Sequence, residues 1–351
     1  MKKLTPLFFI FPLLILSHTS KSQGCIAIRN VANPTGQYNL LDRSFTKATW
    51  QIALTNRFFV ANQVYVGQNK ASGNFENRTY TFDASITRLL NKGWSINLDI
   101  PITANSRMNP GEHGGPGDNT THSFGINDIS LVALKWILAP HANQKFNFQL
   151  GLGIKFPTGN YNYQDYFSRN DSTKVLAAVN PSIQLGDGGT GIMTELNAFY
   201  VFSKVWSAYF SAFYMFNPRD QNGTSNTLGN PASQSAIRAG ATVNSVPDTY
   251  SARTGISAVL SKWILSGGLR LEGAPVDDVL GQSHGLRRAG YNFTIEPGVM
   301  YNWNTVSVYY YMPILVGVNE MNVETDKAQG NFKTGGGSAP FQIIFGALFQ
   351  L

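Results

Sequence analysis

The sequence predicts an all-β chain folded as one antiparallel transmembrane β-barrel of about twelve strands, the segments allowing ten to fourteen. Three observations carry this. Charged residues make up only 13% of the 351 positions, about half the share of a soluble domain, while aromatics reach 13% and glycine 34 residues. Mean hydropathy is −0.13, and after the N-terminal segment no stretch offers the roughly 18 to 20 consecutive apolar residues a spanning helix needs. Segments of about ten residues instead alternate apolar and polar positions, as tilted strands do when one face meets lipid and the other a lumen.

Taken in order, Lys2 and Lys3, the apolar stretch 4–16 and the small polar tail 17–22 read as a secretory signal. Cleavage after residue 22 would leave a short periplasmic segment, 23–45, and a barrel over 46–351. A competing reading makes Cys25 a lipidated terminus, although Ser22 stands where a lipoprotein signal usually has leucine. Cys25 is the only cysteine, so no intrachain disulfide can form. The formal charge of +7 is diffuse, with no run of five basic residues, which leaves nucleic-acid binding without support.

From residue 46 the strands follow one another. Tyr80, Phe82, Ala84 and Ile86 alternate with Thr81, Asp83 and Ser85; Trp94, Ile96, Leu98 and Ile100 with Ser95, Asn97 and Asp99; Phe146, Phe148, Leu150, Leu152 and Ile154 with Asn147, Gln149, Gly151 and Gly153. The pattern recurs at Trp206, Ala208, Phe210 and Ala212 against Ser207, Tyr209 and Ser211. Segments 129–138 and 191–202 are less clean, and Lys135 breaks the alternation unless a bulge intervenes or the lysine snorkels. Short connectors are expected at 90–93, 139–144, 203–205, 261–262 and 302–304. Long polar ones are expected at 57–78, 104–123, 157–180, 218–235, 273–290 and 315–338. Short periplasmic turns opposite long outer loops, with both termini periplasmic, is the asymmetry of such barrels. Trp94, Trp136, Trp206, Trp263, Tyr301 and Trp303 beside the short turns would form an aromatic girdle in outer-membrane lipid.

At the end of the chain Phe341, Ile343, Phe345, Ala347, Phe349 and Leu351 alternate to the last residue. This resembles the terminal strand by which outer-membrane barrels engage their insertion machinery, although that signal usually closes on phenylalanine.

Several phrases look like a family. They are Gly125-Ile-Asn-Asp-Ile129, Gly153-Ile-Lys-Phe-Pro-Thr-Gly159, Pro181-Ser-Ile-Gln-Leu-Gly-Asp-Gly-Gly189, Asn217-Pro-Arg-Asp-Gln-Asn-Gly223, Ser245-Val-Pro-Asp248, Glu272-Gly-Ala-Pro-Val-Asp-Asp278 and Gly285-Leu-Arg-Arg288. Together they resemble an uncharacterised family of bacterial outer-membrane barrels described as transporters, related to outer-membrane proteins of the meta-pathway of phenol degradation. The resemblance implies a barrel that passes small, hydrophobic or aromatic molecules, with no assigned cargo.

Strand alternation places Asp83, Asp99, Asp128, Lys155, Glu195, Arg253, Arg270, Glu272 and Glu296 on the lumen face. They would either tune the selectivity of a conduction path or pair with one another, as Glu296 and Arg270 could, to fill a narrow barrel. The loop phrases supply Asp187, Arg219, Asp220, Asp248, Asp277, Asp278, Arg287 and Arg288. Their carboxylates could hold a loop Ca²⁺, though none reproduces a calcium-loop pattern and such residues also simply make turns; no other cofactor is expected. The leading expectation is a passive channel. The alternatives are an adhesive barrel, using loop rings such as Tyr161, Tyr163, Tyr166 and Phe167, and an outer-membrane hydrolase. Of the histidines His113, His122, His141 and His284, only His122 or His284 with Asp277 or Asp278 makes an acid and histidine set.

Overall fold

The computed structural model describes residues 49–109, 120–140, 144–168, 172–227, 231–328 and 336–351. The signal, the segment 23–45, Cys25, His113 and His141 lie outside the described residues. No described helix is long and apolar enough to cross a membrane.

The chain runs through β1 (Trp50–Ala61), a small hairpin of β2 (Gln63–Val66) and β3 (Asn69–Ala71), then β4 (Glu76–Leu89), β5 (Trp94–Met108), β6 (Thr120–Ile126), β7 (Ser130–Trp136) and β8 (Phe146–Lys155). A second hairpin, β9 (Gln164–Ser168) and β10 (Lys174–Ala178), precedes β11 (Gly191–Val201) and β12 (Trp206–Phe216). After β13 (Gln221–Ser225) and β14 (Val243–Ser245) come β15 (Thr249–Leu260), β16 (Trp263–Ala274), β17 (Ala289–Trp303), β18 (Val306–Tyr311), β19 (Ile314–Met321), β20 (Gly336–Ser338) and β21 (Gln342–Gln350). Neighbours in the wall are antiparallel, and β21 pairs with both β18 and β1, so the sheet closes on itself. Two wall strands are interrupted. β6 and β7 together flank β5, and β18 and β19 together flank β17, which makes the barrel twelve-stranded.

Alternation decides which way each residue faces. In β1, Gln51, Ala53, Thr55, Arg57, Phe59 and Ala61 are buried, while Trp50 and Phe58 are exposed to the outside. The outer face carries Leu150, Leu152, Ile154, Trp206, Leu265 and Val308, and near the short turns Trp50, Trp94, Trp263 and Trp303. Trp136 departs from the expected girdle. It points inward, 7% exposed, with its ring 5.9 Å edge-on to Phe199. Lys135 takes the outward place; its Nζ donates to the Lys92 carbonyl and lies 5.3 Å from the Trp94 ring, so snorkelling rather than a bulge resolves the break.

Segments 129–138 and 191–202 read poorly because their inward face is apolar too. Val132, Leu134, Met193, Phe213 and Met215 cluster inside the wall, and so do Ile264, Met300, Tyr309, Tyr311, Ile344 and Leu348 on the other side. Glycines make room for these rings. A Cβ on Gly298 would sit 2.2 Å from the Tyr311 ring, and one on Gly346 2.6 Å from the Tyr309 hydroxyl, which instead meets Thr55 Oγ1 at 2.6 Å. In the half nearer the short turns Gln51, Thr55, Ser257, Ile264, Met300 and Leu348 are each at most 5% exposed. The lumen there is packed with side chains rather than open.

Several expected loops are strand. Residues 57–61, 104–108, 120–123 and 315–321 extend β1, β5, β6 and β19. Lumen-facing polar residues such as Arg57 and Asn105 make these ends look like loop, although outward partners such as Phe58 and Val60 keep the alternation.

Candidate functional site

All nine candidates expected on the lumen face lie on the inward side of the wall, and they form three groups. At the waist, Arg253 on β15 and Arg270 on β16 are direct cross-strand partners. Glu296 on β17 bridges them: Arg253 Nη2 and Nε donate to its Oε1, and Arg270 Nη1 approaches Oε2 at 3.4 Å. Arg270 also holds Glu272 at 2.6 Å, and Glu272 accepts from Gln342 at 3.1 Å. Arg57 on β1 lies diagonally beside Asp83 on the neighbouring β4, and it also feels the charges of Glu272 and Arg270. The expected pairing of Glu296 with Arg270 is therefore present, within a larger set to which the sequence reading had not assigned Arg57. Three guanidiniums and three carboxylates, all at most 5% exposed, balance one another.

Asp99 and Glu195 form a second group, with no ion pair to a cation among the described residues; the charges acting on Asp99 are those of Asp83 and Glu195. They face the lumen from β5 and β11.

The third group closes the long-loop end, and here the family-like phrases converge. Lys155, at the tip of β8 and 2% exposed, sits between Asp128 at 3.3 Å and Asp187, to which it also donates. Asp128 occupies the interruption between β6 and β7, and its Oδ1 accepts the Gly159 N–H at 3.0 Å. Arg219 donates to the carbonyls of Gly188, Gln221 and Asn222 at 2.6, 2.9 and 3.0 Å, tying two loops together. Asp248, fully buried, accepts from Tyr214 Oη and from the backbone of Asn217 and Val279. Asp278 holds Arg287 through both guanidinium nitrogens at 2.5 and 2.8 Å. Arg288 faces Asp326 in the short helix Glu324–Ala328, where burial pushes the Asp326 carboxyl above its ordinary range against the pull of the Val323 N–H and Arg288.

Beneath this cap lies a chamber of about 160 Å³ bounded by Asp128, Lys155, Leu185, Met215, Leu286 and Arg287 among others. Smaller spaces of about 10 and 30 Å³ share Ser182 with it; the larger reaches Arg57 and, at the wall, Pro313 and Leu315. There β18 ends and β19 begins, and the seam toward β21 is held by the Ile314–Phe341 bridge and two backbone bonds of 2.9 Å, Gln342 N to the Pro313 carbonyl and Leu315 N to the Pro340 carbonyl; beyond Leu315 no ladder between β19 and β21 occurs among the described residues. Pro297, opposite this interruption, accepts from Met312 N at 3.1 Å.

Other site expectations fare differently. The histidines do not meet Asp277 or Asp278: His284 Nδ1 lies 2.8 Å from Asp220, and His122 3.6 Å from Asp165, both histidines exposed. Asp187, Asp220 and Asp278, proposed as cation ligands, each face a basic side chain instead, and no group of three His, Cys, Asp or Glu placed to hold a metal occurs among the described residues.

No family model matches the chain, and no curated protein does. Its fold is similar to that of the COG4313 outer membrane channel from Pseudomonas putida F1, with a TM-score of 0.59 at 11% identity over 88% of this chain and 98% of that one. Looser likenesses include the translocator domain of the autotransporter NalP from Neisseria meningitidis (TM-score 0.45, 9% identity, 90% and 92% covered) and the toluene transporter TbuX of Ralstonia pickettii (0.40, 9%, 88% and 91%). At such identities the likeness is one of fold, that of an outer-membrane barrel.

Proposed function

We propose that this chain is an outer-membrane channel for small solutes, with its long loops outside and both termini periplasmic, and that cargo leaves through the side of the wall rather than down the axis. The single observation that carries the reading is the run of spaces from the capped chamber to the β18–β19 interruption, set above a lumen packed with side chains. A solute held under the cap has a packed, ion-paired waist below it and a seam beside it at Pro297, Pro313 and Pro340, where proline limits strand pairing. Leaving by that seam suits molecules that partition into lipid, in keeping with the hydrophobic cargo that the resemblance implies. The outward apolar band is the surface for membrane lipid, and β21 is the element offered to the insertion machinery.

The test is entry of cyclohexanol into lipopolysaccharide-containing vesicles carrying the refolded chain. Entry faster than in protein-free vesicles supports the reading. Equal rates with correctly folded barrel refute it.

A further inference from the structure

Resting on that reading, we infer that the chamber under the cap is a binding site for an uncharged, hydroxyl-bearing solute about the size of one six-membered ring, alicyclic as readily as aromatic. Volume sets the size, since 160 Å³ is close to the roughly 150 Å³ of an engineered cavity that takes one benzene molecule. Charge comes next. Two of the three cations lining the chamber are ion-paired, Lys155 with Asp128 and Asp187 and Arg287 with Asp278, while Arg288 acts at longer range on the Asp326 carboxyl. Asp128 and Asp187, which share the Lys155 ammonium, also accept backbone N–H groups from Gly159 and Gly189, so the ion-paired groups of the lining are engaged within the protein before any ionic ligand arrives. Burying an unmatched charge there would cost far more than the contacts return.

The lining also determines the ligand's chemistry. Leu185, Met215 and Leu286 supply apolar contact, while Asn127, Asn244 and Ser182 bring amide and hydroxyl groups to the same space. Asn127 and Asn244 are 4% and 3% exposed, and the Oδ1 of each lacks a hydrogen-bond donor. Buried carbonyl oxygens without donors favour a ligand that brings O–H groups. No aromatic ring lines the chamber among the described residues, so there is no stacking surface to prefer a flat π face over a saturated ring.

The experiment is calorimetric titration of the full chain in detergent with cis-cyclohexane-1,2-diol, catechol, benzoate, cyclohexylammonium and maltose. The diol and catechol should bind within about threefold of each other, and the two ions and the disaccharide at least about tenfold more weakly. Ala274→Phe, which fills the chamber, should abolish diol binding. Met215→Ala, which enlarges it, should instead improve binding of a fused two-ring diol, and it keeps the inference open to refutation if Ala274→Phe does not fold. Benzoate binding as tightly as the diol, or catechol exceeding the diol by more than about tenfold, would overturn the inference. Diol binding without vesicle entry would sink the channel reading alone, whereas vesicle entry without diol binding would sink only this site.

Discussion

Replacing Glu296 by glutamine removes one negative charge from the centre of the waist and leaves every atom position almost unchanged. Glu296 is the carboxylate shared by Arg253 and Arg270, which are direct partners across β15 and β16. Without it, Arg253 loses its carboxylate partner and Arg270 keeps only Glu272. Breaking a buried pair by removing one partner costs about 3 to 5 kcal/mol by general experience, and the lower end, about 3 kcal/mol, applies here because Glu272 remains. No discount for solvent screening applies, because Arg253, Arg270 and Glu296 are 4%, 1% and 1% exposed. Urea unfolding in detergent, read as the loss of the fast-migrating folded band on unheated gels, gives the difference. Adding Arg253→Met to Glu296→Gln should recover at least about half the loss, since removing both partners relieves the uncompensated charge. A single variant within about 0.5 kcal/mol of the parent would refute the idea that the waist is a dry, mutually dependent ion network.

Three further outcomes follow from the same geometry. Asp99→Asn and Glu195→Gln, which replace buried carboxyl groups that have no ion-pair partner among the described residues, should leave unfolding within about 0.5 kcal/mol of the parent or raise stability slightly; a loss above about 2 kcal/mol would mean that these carboxyls are paired. Gly298→Ala forces a Cβ to within 2.2 Å of the Tyr311 ring and should cost about 1 to 3 kcal/mol by the same gel assay, with Tyr311→Leu in the same chain restoring part of it. Lys155→Met leaves Asp128 and Asp187 facing each other without their shared cation, and limited proteolysis of the loops at 157–189 should accelerate several-fold, whereas an unchanged cleavage rate would show that the clasp does not hold the cap.

Alternation made the wall legible in the sequence. The strands at Tyr80, Trp94, Phe146 and Trp206 face as read, because lipid on one side and polar side chains on the other impose a period of two. Reading weakened where the lumen itself is apolar. Trp136 beside a short turn has the composition of a girdle residue, yet its parity with Val132 and Leu134 turns it toward Phe199. That parity was visible, but only once Lys135 was accepted on the lipid face. Arg57 was hidden for the opposite reason: a lone cation near the end of a strand resembles the start of a polar loop, and only its alternation with Phe58 and Val60 marks it as lumen. The cap lay beyond periodicity altogether. That Lys155 reaches Asp187, that Asp248 gathers Tyr214 and Asn217, and that Arg219 ties two loops are contacts between residues tens of positions apart, fixed by how the loops fold inward. The quoted phrases identified the participants of this network but not their partners, as the histidines paired with Asp220 and Asp165 illustrate.

Lateral passage is tested most directly by closing the seam. Ile314 and Phe341 form the isolated bridge between β19 and the start of β21, and directly opposed residues on adjacent strands come near the Cβ separation a disulfide requires. In a Cys25→Ser background, Ile314→Cys with Phe341→Cys would be oxidised and cyclohexanol entry into lipopolysaccharide-containing vesicles measured before and after reduction. Lateral exit predicts entry at least about tenfold slower in the oxidised chain and full recovery on reduction, a difference equivalent to about 1.4 kcal/mol in the barrier. Entry at the same rate in the cross-linked and reduced chains would contradict it and return the route to the axis of the barrel.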